Sequence, residues 1–110
     1  MGEAAPELAE VGLAHFVGRV GERFAARPPG DGGGRTGQTF ELVEAAPLAA
    51  ETTPPGAFRA PFRLIFRGPR EAYFPQGILA LEHAELGRLE IFLVPIGPDE
   101  LGMRYEAIFT

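Results

Sequence analysis

The chain contains no cysteine, so no disulfide framework can staple it, and its stability has to come from packing and hydrogen bonds. Lysine, serine, asparagine and tryptophan are missing as well. Enzymes that attack with an activated side chain use Ser, Cys, Thr or Lys beside a base. Three of those four residue types do not occur, so a serine or cysteine triad is impossible, and the threonines fall in loops, at a strand start and at the C-terminus. No apolar run approaches the roughly 20 residues that cross a bilayer. Met1 to Pro6 is acidic and Ala-rich where a secretory signal starts basic and then turns apolar. Cytoplasmic synthesis without a signal peptide is therefore expected, compatible with later incorporation into a larger particle. With lysine absent, all ten basic residues are arginine, against 15 acids, for a net charge of −5. The arginines are spread from Arg19 to Arg104. An acidic chain without a basic cluster repels a phosphate backbone, so neither nucleic acid nor membrane is expected as a partner.

What the sequence does hold points to one small β-rich domain over residues 1–110. Hydrophobic residues make up 45% of the chain and nine of them are Phe, enough to fill a single core at this length and too apolar for disorder. Fifteen Gly and 11 Pro interrupt the chain too often for long helices and suit short strands joined by turns.

Pro6 to Val17 (PELAEVGLAHFV) sets Leu8, Val11 and Ala14 or His15 on one face, with Pro6 near the first turn and Glu7 and Glu10 early, and reads as a short amphipathic helix. A helix that short is marginal alone, and its Leu8, Val11 and Phe16 side is expected to pack across an open end or face of a sheet. Gly21 to Arg27 could prolong the helix, but the glycines at 18 and 21 and the prolines at 28 and 29 favour a short strand; 28–37 reads as a flexible Gly-rich hairpin loop, and Gln38 to Ala45 as the returning strand, where Phe40 and Leu42 alternate with Glu41. Residues 46–56, rich in Pro, Thr and Ala, read as a flexible surface loop. Phe58 to Arg67 carries the clearest pattern, with Phe58, Ala60, Phe62, Leu64 and Phe66 on one face and Arg59, Arg63 and Arg67 on the other. Turn signals then bracket Ile78 to Glu82, Arg88 to Pro95 and Met103 to Phe109, each with alternating residues. Five to six short strands after one N-terminal helix imply a mainly β (α+β) fold, a small antiparallel β-barrel or sandwich.

Few side chains are placed to carry chemistry. Gly34-Arg35-Thr36 resembles the end of a phosphate-binding loop, but position 29 is Pro, the lysine is replaced by Arg35, and no buried strand and helix flank it, so 28–37 stays a hairpin loop. A metal site would build on His83 between Glu82 and Glu85, yet a catalytic metal takes about three protein ligands and the other histidine is His15. His83 therefore reads as a turn residue and His15 as a helix-end residue. The glutamates alternate onto solvent faces rather than into one cleft, where glycosidase carboxylates would have to meet. No cofactor, metal or catalytic residue is expected.

Two features stand out against this background. Arg59, Arg63 and Arg67 form a ladder on one strand face, followed by Arg70, Tyr73 and Phe74. Solvated pairing to Glu82, Glu90 or Glu106 accounts for the ladder, and so does a partner-binding patch. Phe92 and Val94 are out of phase with Leu89, Ile91 and Leu93, so the strand at 88–95 is apolar on both faces. Something must cover the second face: the N-terminal helix, or another subunit or partner.

Several segments together resemble a known family: FELVEAAP at 40–47, APFRLIFRGP at 60–69, FPQGILALEHAELGRLEIFLVPIGP at 74–98 and RYEAIF at 104–109. They are similar to a family of short, uncharacterised bacterial proteins of unknown function that share the strings FRGP, PQG, LEH, LG, FLVPIGP and YEA-F in that order. The likeness covers most of the chain after residue 16. By analogy, the resemblance implies a setting among genes for phage-tail collar-like, fibre-type proteins, and it attaches no activity or catalytic residue. The chain departs from the pattern chiefly in its Gly-rich segment at 30–37, which implies a tolerant loop and no site there.

These readings favour a non-enzymatic protein-interaction or assembly module with a protein partner or a homo-oligomeric state, acting through Arg59, Arg63, Arg67, Tyr73 and Phe74. The alternative is a small barrel that holds a small molecule or has a weak activity, with His83, Glu82 and Tyr105 as its polar groups. An apolar cavity reaching those three would favour the alternative, and a filled interior with an exposed apolar edge would favour assembly.

Overall fold

A computed structural model describes residues 12–27, 38–48, 61–70 and 73–109 of the chain, with Arg27 described by its backbone alone. The alternating pattern produces six strands, β1 (Arg23–Arg27), β2 (Gln38–Pro47), β3 (Phe62–Gly68), β4 (Gly77–His83), β5 (Gly87–Pro98) and β6 (Met103–Phe109). All neighbours run antiparallel in the order β1-β2-β3-β6-β5-β4, and β4 pairs back onto β1 to close a barrel. Closure decides between the two architectures the sequence left open, because a sandwich would keep its sheet edges and a barrel has none.

Successive side chains alternate between the two faces of a strand, and here one face is the inside of the barrel. Phe24, Phe40, Leu42, Phe62, Leu64, Phe66, Leu81, Leu89, Ile91, Leu93 and Tyr105 all point inward and are fully buried. Each such residue withdrawn from water contributes about 1.5–3 kcal/mol. Rings also meet in specific geometry: Phe62 stacks on its cross-strand partner Phe109 at 4.6 Å, and Phe24 meets Phe66 edge-on at 5.3 Å. Two strands bulge, where register slips between Leu42 and Glu44 in β2 and between Pro95 and Gly97 in β5. A bulge bends and coils a strand, which a closed sheet of six strands requires.

Both mouths are plugged. At the lower mouth, where β1, β3 and β5 begin, residues 12–22 form two 3-10 turns, Leu13–His15 and Val17–Arg19. They set Phe16, with no exposed surface, about equally far from Phe62 (6.1 Å) and Phe109 (6.2 Å). The upper plug follows from topology. β3 and β4 lie opposite each other, with two strands between them in either direction, so the connection between them has to cross the mouth or skirt the outside. Phe74 takes the first route: its ring stands edge-on to Phe40 at 5.5 Å and to Tyr105 at 6.3 Å, and its backbone N–H donates to the Tyr105 hydroxyl at 2.9 Å.

Several sequence expectations need correcting in detail. Residues 6–11 of the helix expected over 6–17 lie outside the described residues; the described half forms 3-10 turns rather than an α-helix, and its Phe16 packs across the open end of the barrel, one of the two placements expected for it. β1 starts at Arg23 rather than at position 21, because Gly21 turns the chain at φ +96°. β2 continues through Ala46 and Pro47, which pair with Arg63 and Phe62, although both were expected in the 46–56 loop. β5 runs to Pro98, three residues past its expected end at Pro95, because the Ile96 bulge and Gly97 (φ +112°) absorb the irregularity without ending the strand. Residues 28–37, 49–56 and Phe58 to Ala60 lie outside the described residues.

Candidate interaction surface

Outward positions on β2, β3 and β6 place opposite charges side by side. Arg63 sits between Glu44, which it meets at 2.7 Å, and Glu106 at 3.5 Å, and Ile65, flanked by the same two acids across the strands, is buried beneath them. The Arg63 guanidinium is held above its ordinary value, first by the hydrogen bond to Glu44. Arg67 grips both carboxylate oxygens of Asp99, at 2.7 Å through Nη2 and at 3.0 and 3.2 Å through Nε, and reaches Glu41 at 3.4 Å. Asp99 also organises the β5–β6 turn. Its Oδ1 accepts from the backbone N–H groups of Leu101 (2.8 Å) and Gly102 (2.9 Å), and its carbonyl accepts from Arg70. The Arg67 hydrogen bond, with those two backbone donors, holds the Asp99 carboxyl well below the usual carboxylate range, against the opposing effect of burial.

The five residues expected to form one patch therefore divide. Arg63 and Arg67 share the outer face of β3, both engaged by acids. Tyr73 is exposed on the upper connection, whereas Phe74 is half-buried in the mouth. Arg59 lies outside the described residues. The solvated pairing expected for the ladder holds for Glu106, and the remaining partners are Glu41, Glu44 and Asp99 rather than Glu82 or Glu90.

The three polar groups of the alternative reading do not converge. Glu82 is on the outer wall beside Arg88 at 4.0 Å. His83 ends β4 at the lower mouth, its ring 4.7 Å from Phe24. Phe24 and Phe66 separate it from Tyr105, which is fully buried and whose hydroxyl burial pushes up in pKa. The His83 Nδ1 accepts from the backbone N–H groups of Glu85 (3.0 Å) and Leu86 (3.2 Å), so its proton is assigned to Nε2, which donates to Glu22 at 2.7 Å. Arg19 bonds Glu85 and lies 3.6 Å from Glu22, so the cluster ties the N-terminal turns to the β4–β5 turn. Among the described residues no three His, Cys, Asp or Glu side chains converge as metal ligands would.

The off-phase apolar face is real. Phe92 and its cross-strand partner Ile78 are each 51% exposed, and Ile108, opposite Arg63, is 49% exposed. Sequence reading found Phe92 and Val94 but missed Ile78 and Ile108, which sit at outward positions of strands whose inward face drew the attention. The outer wall of the described residues carries surface depressions. One, of about 360 Å³, is lined by Arg23, Thr39, Glu41 and Arg67 among others, and one of about 240 Å³ by Ile78, Ala80, Arg88 and Glu90.

No curated protein and no solved structure matches the chain. The sequence profile of the family described as a domain of unknown function, DUF6916, matches residues 11–109, and the chain belongs to that family.

Proposed function

We propose that the protein is a non-enzymatic interaction or assembly module that works through the outside of its barrel. The observation that carries this reading is the full interior, with Phe16 and Phe74 across the two mouths and half-exposed Ile78, Phe92 and Ile108 on the wall. A binding barrel keeps room for its ligand among inward side chains. Here the inward positions are occupied by each other, and the polar groups near the mouths, Tyr105 and His83, are engaged by backbone and by Glu22. Large apolar side chains left in water on one wall favour a protein partner. The setting that the sequence resemblance adds to this proposal is a phage-tail-like, fibre-type assembly, in which the chain is a structural or accessory component. Products of adjacent genes are therefore the first partners to test. Purified chain mixed with each of them and passed through size-exclusion chromatography with light scattering is expected to give a discrete complex. Absence of a complex with every one of them, together with a thermal shift on adding a small molecule, would overturn the reading.

A further inference from the structure

The outer wall of β1, β2 and β3 carries a row of arginines that the acids beside them do not fully meet. Register sets Arg23, Glu41, Arg67 and Arg104 side by side across β1, β2, β3 and β6. Arg67 stands directly opposite Arg104, a pairing of like charges that costs stability unless an acid intervenes, and Asp99 supplies one to Arg67 at 2.7 Å. Glu41 turns to Arg67 as well, at 3.4 Å. Arg23 stands exposed at the start of β1 and, among the described residues, makes no ion pair. One outward step along from Arg23 the sequence places two short side chains, Ala25 opposite Thr39. Short side chains beside two long arginines leave a hollow, the depression of about 360 Å³ lined by Arg23, Thr39, Glu41 and Arg67 among others.

We propose that this depression seats a carboxylate side chain, Asp or Glu, of a protein partner, with Arg23 as its ion-pair partner and the Thr39 hydroxyl as a neutral donor beside it. The proposal rests on the interaction-module reading and names the chemistry that the partner presents. A guanidinium meets a carboxylate through parallel N–H groups, and arginine is enriched among the residues that carry binding energy. Charge decides against other anions. Arg67 is already gripped by Asp99, so one guanidinium of the lining is left for the incoming group, and Glu41 repels a second negative charge. That balance matches a monoanion better than a phosphate, which carries nearly two charges. A polyanion such as nucleic acid also meets the net charge of −5 of the whole chain. A single carboxylate responds to charges within about 8 Å, the screening length at physiological ionic strength. Arg104, which gives its Nε–H to the Gly97 carbonyl at 3.3 Å and makes no ion pair among the described residues, adds positive charge to the same row. The depression lies on the outside of the barrel, where a free small molecule gains little burial, whereas a protein brings neighbouring residues to cover the wall around its carboxylate.

The test is an NMR titration of the full chain with a short blocked peptide that carries a single Glu among Gly and Ala, and with the same peptide carrying Gln instead. The Glu peptide is expected to shift the Arg23 Nε–H and Thr39 amide signals saturably, and the Gln peptide to leave them in place. Arg23→Gln should weaken binding by about tenfold, the worth of one charge-assisted hydrogen bond, while Arg88→Gln on the far wall binds as wild type does. Thermal melts confirm that both variants fold. Raising the salt from about 0.05 to about 0.5 M should weaken the wild-type titration, a readout that needs no variant. No shift at these signals, equal shifts with the Gln peptide, or a titration untouched by salt or by a folded Arg23→Gln overturns the proposal. Inorganic phosphate that shifts the same signals at lower concentration than the Glu peptide also overturns it and points to a free anion. A complex with a neighbouring gene product that survives Arg23→Gln overturns it as well, while leaving the module reading in place.

Discussion

At Gly102 the chain has no room for a side chain. A Cβ there would stand 2.2 Å from the carbonyl oxygen of Gly68 and 3.0 Å from Cγ of Arg67, and the first of these is backbone that cannot swing aside. Gly102→Ala is therefore expected to destabilise the protein by about 1–3 kcal/mol, the usual cost of overpacking, seen as a lower urea midpoint with unchanged slope. Next to it, Asp99 makes stability depend on pH. A carboxyl whose folded value lies below its unfolded one stabilises fully above the unfolded value, near 3.9, and the contribution fades as pH falls through and below it. The difference in stability between wild type and Asp99→Asn should be constant above about pH 5 and shrink below about pH 4. A difference that persists unchanged at about pH 2 would show that the Arg67 contact is not what holds the turn. None of this was legible in the sequence. Asp99 reads there as a turn residue, because the arginine that grips it arrives from a strand 32 positions earlier. The split between Phe62, Leu64 and Phe66 inside and Arg63 and Arg67 outside was legible, since a period of two needs only the strand itself.

Strand existence was readable and strand length was not, for a reason visible in β2 and β5. Pro47, Pro95 and Pro98 look like breakers, but proline is tolerated where a strand has a neighbour on one side only. β5 passes the end of β4 opposite Leu93, so Pro95 and Pro98 lie where only β6 flanks it. The plugs were half legible: Phe16 was expected to pack on an open end of the sheet, whereas the role of Phe74 depends on β3 and β4 being opposite, which no local pattern encodes. Their unequal burial sets their unequal worth. Phe16→Ala, at a fully buried ring, is expected to cost about 3–5 kcal/mol, and Phe74→Ala, at a half-buried one, less than half as much. Urea unfolding of the two variants checks the order. A larger loss at position 74 would mean that the upper connection, and not the N-terminal turns, secures the barrel.

The order of strands around the barrel is the property furthest from the sequence, because closure joins β1 to a strand some 50 residues later with nothing local to announce it. The same feature predicts where the molecule opens. Among the described residues β3 and β6 share seven register pairs and so do β4 and β5, whereas β1 meets β4 through three, Ala25 to Arg27 against Ala80 to Glu82. Parting those three turns a closed barrel into an open sheet and leaves every other pairing in place. Local openings of this kind cost less than global unfolding and appear in native-state hydrogen exchange as a separate class of amides. Amides on the β1–β4 seam should therefore exchange through an opening that denaturant hardly affects, while those between β3 and β6 exchange only as fast as the whole protein unfolds. Equal protection of the two seams would show that the barrel opens as one unit. In that case the Arg19, Glu22, His83 and Glu85 cluster, which ties the N-terminal turns to the end of β4, would be holding the short seam shut, and Glu22→Gln should release it.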